Sequence, residues 1–483
     1  MTSAMNAADL APLLPEIFLL SATCALLLID LFISESRRGL THFLSLAVLA
    51  STAALLVRAP SEVSVTAFGG MFIRDGVADA LKLFIIVVSA ASIVYAKAYL
   101  QERKLFRGEF HVLVLFAVLG MMVLVSAGNL VTVYLGLELL ALSSYALVAI
   151  DRDNKRASEA AMKYFVLGSL ASGMLLYGMS MIYGATGSLD IASIRFASLE
   201  LDAQQTLFLL GVVFVLVGIA FKFGAAPFHM WLPDVYQGAP TAITLFIGSA
   251  PKLAAFGMAY RLLDGAAGGI EADWRTLIAW LAVASLAIGN VIAIAQTNLK
   301  RMLAYSTISH VGFLFLGLAN GTAVGFSAAM FYAICYAIMA AGAFAGILLL
   351  ARKGFEAEEI SDFAGLGKRH PMYAACVMLL MGSMAGLPPL LGFWAKLAVI
   401  RAAVDADMIW LAITAVVFAV IGAYYYIRVI KVMFFDPPAD GVEAEPSADV
   451  QLRWLFTINA ALMLVLGVFS GPLLAWCERS LGV

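Results

Sequence analysis

Apolar residues run along this chain in continuous stretches, not in alternation with polar ones. A helix needs roughly 20 such residues to cross the hydrocarbon core of a bilayer. The stretches and the polar breaks between them predict fourteen membrane helices, at 10–32, 40–58, 76–98, 110–127, 129–150, 160–184, 205–226, 240–263, 274–295, 302–319, 323–350, 371–399, 406–433 and 452–478. They are numbered helix 1 to helix 14. The narrowest break, Ser126–Asn129, divides helices 4 and 5. The period-2 pattern of an outer-membrane barrel is missing, so strands are not expected. The expected fold class is an all-α polytopic membrane protein.

Composition sharpens this picture. The residues AVILMFWYC make up 63% of the 483 positions, 40 more are Gly, and only 13% are charged. Soluble domains hold roughly 45–50% apolar and about 25% charged residues. No soluble packing has interior enough to hide this much apolar surface. A soluble enzyme, a nucleic-acid binder and a disordered scaffold are therefore excluded. The net charge of −2 offers no field for a polyanionic partner. Cys24, Cys335, Cys376 and Cys477 lie far apart, with no CxxC pair, and read as small buried hydrophobes. The start MTSAMNAADLAPLLPE has no positive n-region, so no cleavable leader or transit peptide is expected.

Lys and Arg in the connections set orientation. The loops after odd-numbered helices, with their flanking ends, hold 17 of them, and the other side holds 6. The odd loops are expected in the cytoplasm and both termini on the periplasmic side. The longest loop, Asp436–Gln451, is acidic and too short to fold as a catalytic domain. Function must then lie inside the membrane or at contacts with other subunits.

Once the residues counted with the loops and their flanking ends, and the terminal Arg479, are set aside, six basic residues remain within the spans: Lys82, Lys97, Lys163, Lys222, Lys252 and Lys396. All are Lys. Arg stays protonated in proteins, whereas a buried Lys can release its proton near neutral pH. A charge at bilayer depth costs at least ~2.5–3.5 kcal/mol and is a functional candidate by default. Lys97 lies at a helix end and is expected to snorkel. Lys82 follows Asp79 by three residues, the spacing of a local ion pair. Lys163 follows Glu159 by four, so a surface pair and a functional role stand equally open. Glu138 sits about ten residues from either end of helix 5, and ten residues at 1.5 Å reach ~15 Å, mid-membrane. Lys252 is similarly deep in helix 8. For these two, a static ion pair competes with a proton relay.

Lys222 and Lys396 each stand beside a Pro/Gly break, in GIAFKFGAAPFHMWLPDVYQGAPT and MAGLPPLLGFWAKL. Broken backbone survives in a membrane only where it faces protein or a water-filled cavity. Two interrupted helices, five spans apart and each with a Lys, suggest a transporter built from two inverted five-helix repeats. The division expected is a three-helix segment at 1–108, a first repeat at 109–270, a second at 271–434, and an acidic loop with helix 14 at 435–483. His310, deep in helix 10, reads as a proton-exchanging group or as a ring hydrogen-bonded to nearby Ser and Thr. His229, after Pro227, lines the outer mouth of a water path or caps the break.

FKFGAAPFHMWLPDVYQGAPT and KRMLAYSTISHVGF resemble signatures of the antiporter-like membrane subunits of respiratory complex I. That family also contains subunits of multisubunit cation/proton antiporters and membrane-bound hydrogenases. The likeness spans essentially the whole chain. LLPEIFLL, GLPPLLGFWAKL, the length, and Lys instead of Glu at position 396 suit one branch of it. The resemblance implies that Glu138 pairs with a channel Lys, joined by Lys163. It implies that Lys222 is the central carrier of the first half, that Lys252 connects the halves, and that Lys396 loads or releases in the second. It implies proton translocation driven by quinone reduction elsewhere. NAD, FMN, iron–sulfur clusters and quinone are expected in other subunits. This chain has no GxGxxG and no Cys cluster. Its expected partners are other membrane-arm subunits, including neighbouring antiporter-like ones, and membrane lipid, with no nucleic acid. The expected location is a bacterial inner membrane. The alternatives are a cation/proton antiporter subunit and a non-pumping scaffold.

Overall fold

The computed structural model describes residues 10–58, 64–201, 204–437 and 445–483. Within them, 13 helices are long and apolar enough to cross a membrane. Helices 1 to 5 are Ala11–Asp30, Arg38–Arg58, Gly76–Glu102, Gly108–Val125 and Leu130–Val148. Helices 6 to 11 are Lys155–Thr186, Gln205–Phe223, Thr241–Ala266, Glu271–Ile294, Leu299–Asn320 and Ala323–Leu350. Helix 12 is a broken pair, Pro371–Ala385 (12a) and Leu391–Asp405 (12b). Helices 13 and 14 are Ile409–Phe435 and Val450–Val468. All fourteen expected spans are present, and 126–129 divides helices 4 and 5.

Four details differ from the sequence reading. Helix 14 ends at Val468, and Ser470–Ser480 forms a separate short helix. Helix 8 is irregular at Ser249, where φ is −116° and ψ −85°. A two-stranded antiparallel hairpin, Val65–Ala67 with Phe72–Arg74, lies between helices 2 and 3. It is too short for a period-2 pattern to register. Cys24 is exposed, while the other three cysteines are buried. Residues 438–444 of the acidic loop lie outside the described residues.

Polar side chains start several helices. Asp75, Asn129, Asn154, Asn298, Thr322 and Asp449 each accept a backbone N–H from the first turn. They satisfy donors that the helix leaves free. Lipid supplies no hydrophobic drive between helices, so close backbone approach does the packing. Glycines provide it where helices 4 and 5, 6 and 7, and 9 and 10 run together. A β-carbon on Gly136 would stand 2.7 Å from the Leu124 nitrogen, and one on Gly289 2.5 Å from the Ser309 nitrogen. Helices 8, 10 and 11 form the centre, each with 94% of its apolar window inside the protein.

Helix 7 stops at Phe223, where Gly224 takes φ 78°. Helix 12a stops at Ala385, where Gly386 takes φ 87°. A side chain is strained at such angles. Gly386 also has no room for one, since its β-carbon would lie 2.9 Å from Cδ of Lys396. A linker helix, Trp231–Gly238, follows the helix 7 break.

Candidate functional site

Each break exposes helix-end carbonyls that have no partner within their own helix and carry the negative end of the helix dipole. Buried lysines meet them. Lys252 Nζ donates to Phe223 O at 2.8 Å. Lys396 Nζ donates to Met384 O at 3.1 Å and Ala385 O at 2.8 Å. Lys300 Nζ donates to Ala239 O at 2.7 Å, just past the linker helix. Rings flank two of these ammonium groups. Lys252 faces Trp231 at 5.5 Å, and Lys396 faces Phe313 at 4.9 Å.

Lys222, on the last turn of helix 7, has no hydrogen-bond partner among the described residues. It is half-buried and lines a cavity of ≈ 20 Å³ with Leu137, Tyr145 and Ser172, enough for about one water. Glu138 is half-buried on helix 5 and accepts a hydrogen bond from the Ser172 hydroxyl of helix 6. Ser172 also lines the Lys222 cavity, and Lys252 holds the carbonyl of Phe223, the residue after Lys222. These three groups are thus brought together in the first half.

His310 is buried, and its partners are tyrosines from other helices, not neighbouring Ser and Thr. Nδ1 lies 2.7 Å from the Tyr332 hydroxyl and Nε2 3.0 Å from that of Tyr426. Tyr426 also hydrogen-bonds Ser306, and Tyr336 donates to Thr307 at 2.8 Å. Phe313, which the Lys396 ammonium faces, stacks on Tyr332 at 6.2 Å. Phe223 and Phe315 meet edge-on at 5.3 Å, an apolar contact between helix 7 and helix 10.

Two sequence expectations are corrected. Lys82 does not pair with Asp79, which binds Arg74 at 3.0 Å. Lys82 instead meets Glu16 of helix 1 at 2.6 Å, both buried. The acid in LLPEIFLL was the available signal, but its partner is 66 positions away, so no local spacing marks the pair. Lys163 is placed with Glu159 at 2.9 Å and Asp234 at 2.8 Å, not against Glu138. It stands nine residues before Ser172 on helix 6, ~13.5 Å along the axis. Asp234 also binds Arg301 at 2.9 Å. Burial pushes the Asp234 carboxyl up, but Lys163 and Arg301 outweigh it and hold it below the usual carboxylate range. His229 lies half-buried just ahead of this linker helix, which packs beside the odd-loop ends of helices 6 and 10. Lys97 reaches out to Gln451 at 3.0 Å. Lys300 was missed because the apolar run of helix 10 begins after it. Among the described residues, no group of three or more His, Cys, Asp or Glu could hold a metal.

Residues 127–422 match the family described as NADH:quinone oxidoreductase/Mrp antiporter, TM. The chain belongs to this family. It is 56% identical over 476 residues to NADH-quinone oxidoreductase subunit N of Xanthomonas euvesicatoria pv. vesicatoria (strain 85-10), covering 99% of this chain and 97% of that one. It is 51% identical over 482 residues to the subunit of the same name from Thiobacillus denitrificans (strain ATCC 25259 / T1), covering 100% and 99%. The branch suggested by LLPEIFLL and Lys396 is thus borne out within the NADH:quinone oxidoreductase/Mrp antiporter family. A chain of respiratory complex I from Thermus thermophilus with bound aureothin superimposes with a TM-score of 0.83, at 31% identity, over 95% of this chain and 98% of that one. A chain of the Mrp complex from Dietzia sp. DQ12-45-1b has a TM-score of 0.86 at 22% identity, over 99% and 97%, and shares the fold.

Proposed function

We propose that this chain is a proton-translocating subunit in the membrane arm of an NADH-quinone oxidoreductase. It is a multi-pass protein of a bacterial inner membrane, set among other membrane-arm subunits that include antiporter-like neighbours. The observation that carries this reading is the docking of lysine ammonium groups on the free ends of interrupted helices 7 and 12, beside Lys222, whose cavity is also lined by the Ser172 that donates to Glu138. A carrier must hold a proton and release it, which Lys does and Arg does not. An ammonium also grips a carbonyl more strongly than a neutral amine does. Proton occupancy is thereby coupled to the geometry of the helix ends.

In this reading a proton passes among Glu138, Lys222 and Lys252 in the first half, and between His310 and Lys396 in the second. Each change of charge alters the proton affinity of the next group. The opposing load is about 2.3 kcal/mol per charge per 100 mV. A two-unit change in pKa corresponds to about 2.7 kcal/mol, so ordinary electrostatic shifts are large enough. NAD, FMN, iron–sulfur clusters and quinone belong to other subunits. The odd loops face the cytoplasm and both termini the periplasm, as the Lys and Arg balance supports. Residues 109–270 and 271–434 act as two inverted repeats. The pairing of helices 4 with 5 and 6 with 7 recurs as 9 with 10 and 11 with 12, in support of that division.

The test is a strain lacking this chain. Loss of NADH-driven quinone reduction and proton uptake in inverted vesicles, with unchanged sodium tolerance, is the expected result. Retention of both activities with new sodium sensitivity would replace the reading with a cation/proton antiporter.

A further inference from the structure

Among the buried groups the relay leaves unused are Lys300 and Tyr236. Lys300 stands in the first turn of helix 10 at 3% exposure. Its ammonium has three donors, and Ala239 O takes one of them. It walls a cavity of ≈ 90 Å³ on the odd-loop side, together with Glu356 and Glu358 of the loop between helices 11 and 12. A polar space of that size accommodates several waters. The two carboxylates differ in freedom. Glu356 is held by the Tyr99 hydroxyl at 2.8 Å and by Arg103 Nη2 at 2.7 Å. Glu358 has a loose contact, 3.5 Å to Arg156 Nη1. The Glu358 backbone carbonyl accepts from Leu299 N at 2.6 Å, which pins this carboxylate's segment beside Lys300.

Tyr236 lies on the linker helix, three residues before Ala239. It is fully buried, and its hydroxyl has no hydrogen-bond partner among the described residues. Buried hydroxyls are nearly always bonded, so one that is not calls for a role. A β-carbon on Gly248 of helix 8 would lie 3.4 Å from this hydroxyl. Gly248 precedes Lys252 by four residues. The Tyr236 ring meets Trp231 at 6.3 Å, and Trp231 in turn faces the Lys252 ammonium.

We propose that Lys300 and Tyr236 form the loading leg of the proton path, taking protons from water in the Glu356–Glu358 cavity and passing them to Lys252. This rests on the relay reading above. Lys300 as ammonium gives one proton inward and is left as a neutral amine. Tyr236 accepts a proton on its oxygen as its own O–H proton leaves, through bridging water, so the phenol stays neutral and Lys252 becomes the ammonium. Water in the cavity then reprotonates Lys300, with Glu358 supplying the proton and recovering one from bulk.

The test compares Lys300→Arg, Tyr236→Phe and Lys222→Ala in inverted vesicles, at equal amounts of assembled complex. Arg keeps the charge and a donor for Ala239 O but does not release its proton. A merely structural cap is therefore rescued by Lys300→Arg, and a loading residue is not. Phe removes only an unbonded hydroxyl, so Tyr236→Phe should assemble as the native chain does. A several-fold fall in NADH-driven proton uptake in both variants is expected. Native uptake in both overturns the loading leg. If Lys222→Ala is impaired in that same series, the relay survives and the leg alone fails; if Lys222→Ala is also unimpaired, the relay itself fails. Should Lys300→Arg not assemble, Tyr236→Phe decides: a several-fold fall supports the leg and native uptake overturns it.

Discussion

Lys82→Met is expected to destabilise the protein by about 3–5 kcal/mol, the scale for removing one partner of a buried ion pair. Lys82 on helix 3 and Glu16 on helix 1 meet at 2.6 Å with side-chain exposures of 0% and 5%. Among the described residues neither has a hydrogen-bond partner outside the pair, and the Phe72 ring covers the ammonium at 4.8 Å. Methionine would leave the Glu16 carboxylate with no counter-charge in an apolar surround, which burial penalises heavily. The double variant Glu16→Gln, Lys82→Met removes both charges and should recover most of the loss. Thermal inactivation of the solubilised complex measures both. Equal stability of the single and double variants would show that the pair is not coupled.

Lys396→Ala should lower NADH-driven proton uptake by about tenfold or more, since ~1.4 kcal/mol on the barrier already gives that factor. Two losses act together. The second half loses the carrier that the relay proposal places at Lys396, and helix 12a loses the donor that holds Met384 O and Ala385 O. Unpaired carbonyls at that depth have no water to turn to. Lys396→Arg separates the two effects. It restores a donor for the helix end, so assembly on a native gel should recover, but it does not exchange its proton, so uptake should stay low. Native uptake in the Arg variant would assign Lys396 to structure alone.

The fold was legible because membrane spans need long apolar runs, and fourteen of them stood apart in the sequence. The breaks were legible too, since Gly224 and Gly386 lie within apolar runs beside Pro227 and Pro388. Charges in apolar surroundings singled out Glu138, Lys222, Lys252 and Lys396. What they touch was not legible. The carbonyls held by Lys252 and Lys396 come from helix ends that only the folded chain brings near. Glu16 and Lys82 pair across two helices, and hydropathy gives no register between distant spans. Lys300 read as a loop residue because burial at a helix start depends on the loop folded over it, here residues around Glu358. The tyrosines around His310 carry no charge, so they blended into the apolar background. Lys163 was ambiguous for a physical reason. Its i, i+4 partner Glu159 was visible, and Asp234, 71 positions on, was not.

The measurement that bears most directly on the relay is Lys222→Ala in inverted vesicles, with NADH-driven quinone reduction and proton uptake recorded together after native-gel quantification. Lys222 has no hydrogen bond to lose among the described residues, so the variant should assemble normally. Proton uptake is expected to fall sharply, with quinone reduction falling alongside it if the two are tightly coupled. Native rates of both in a fully assembled complex would contradict the relay and leave the chain as a scaffold.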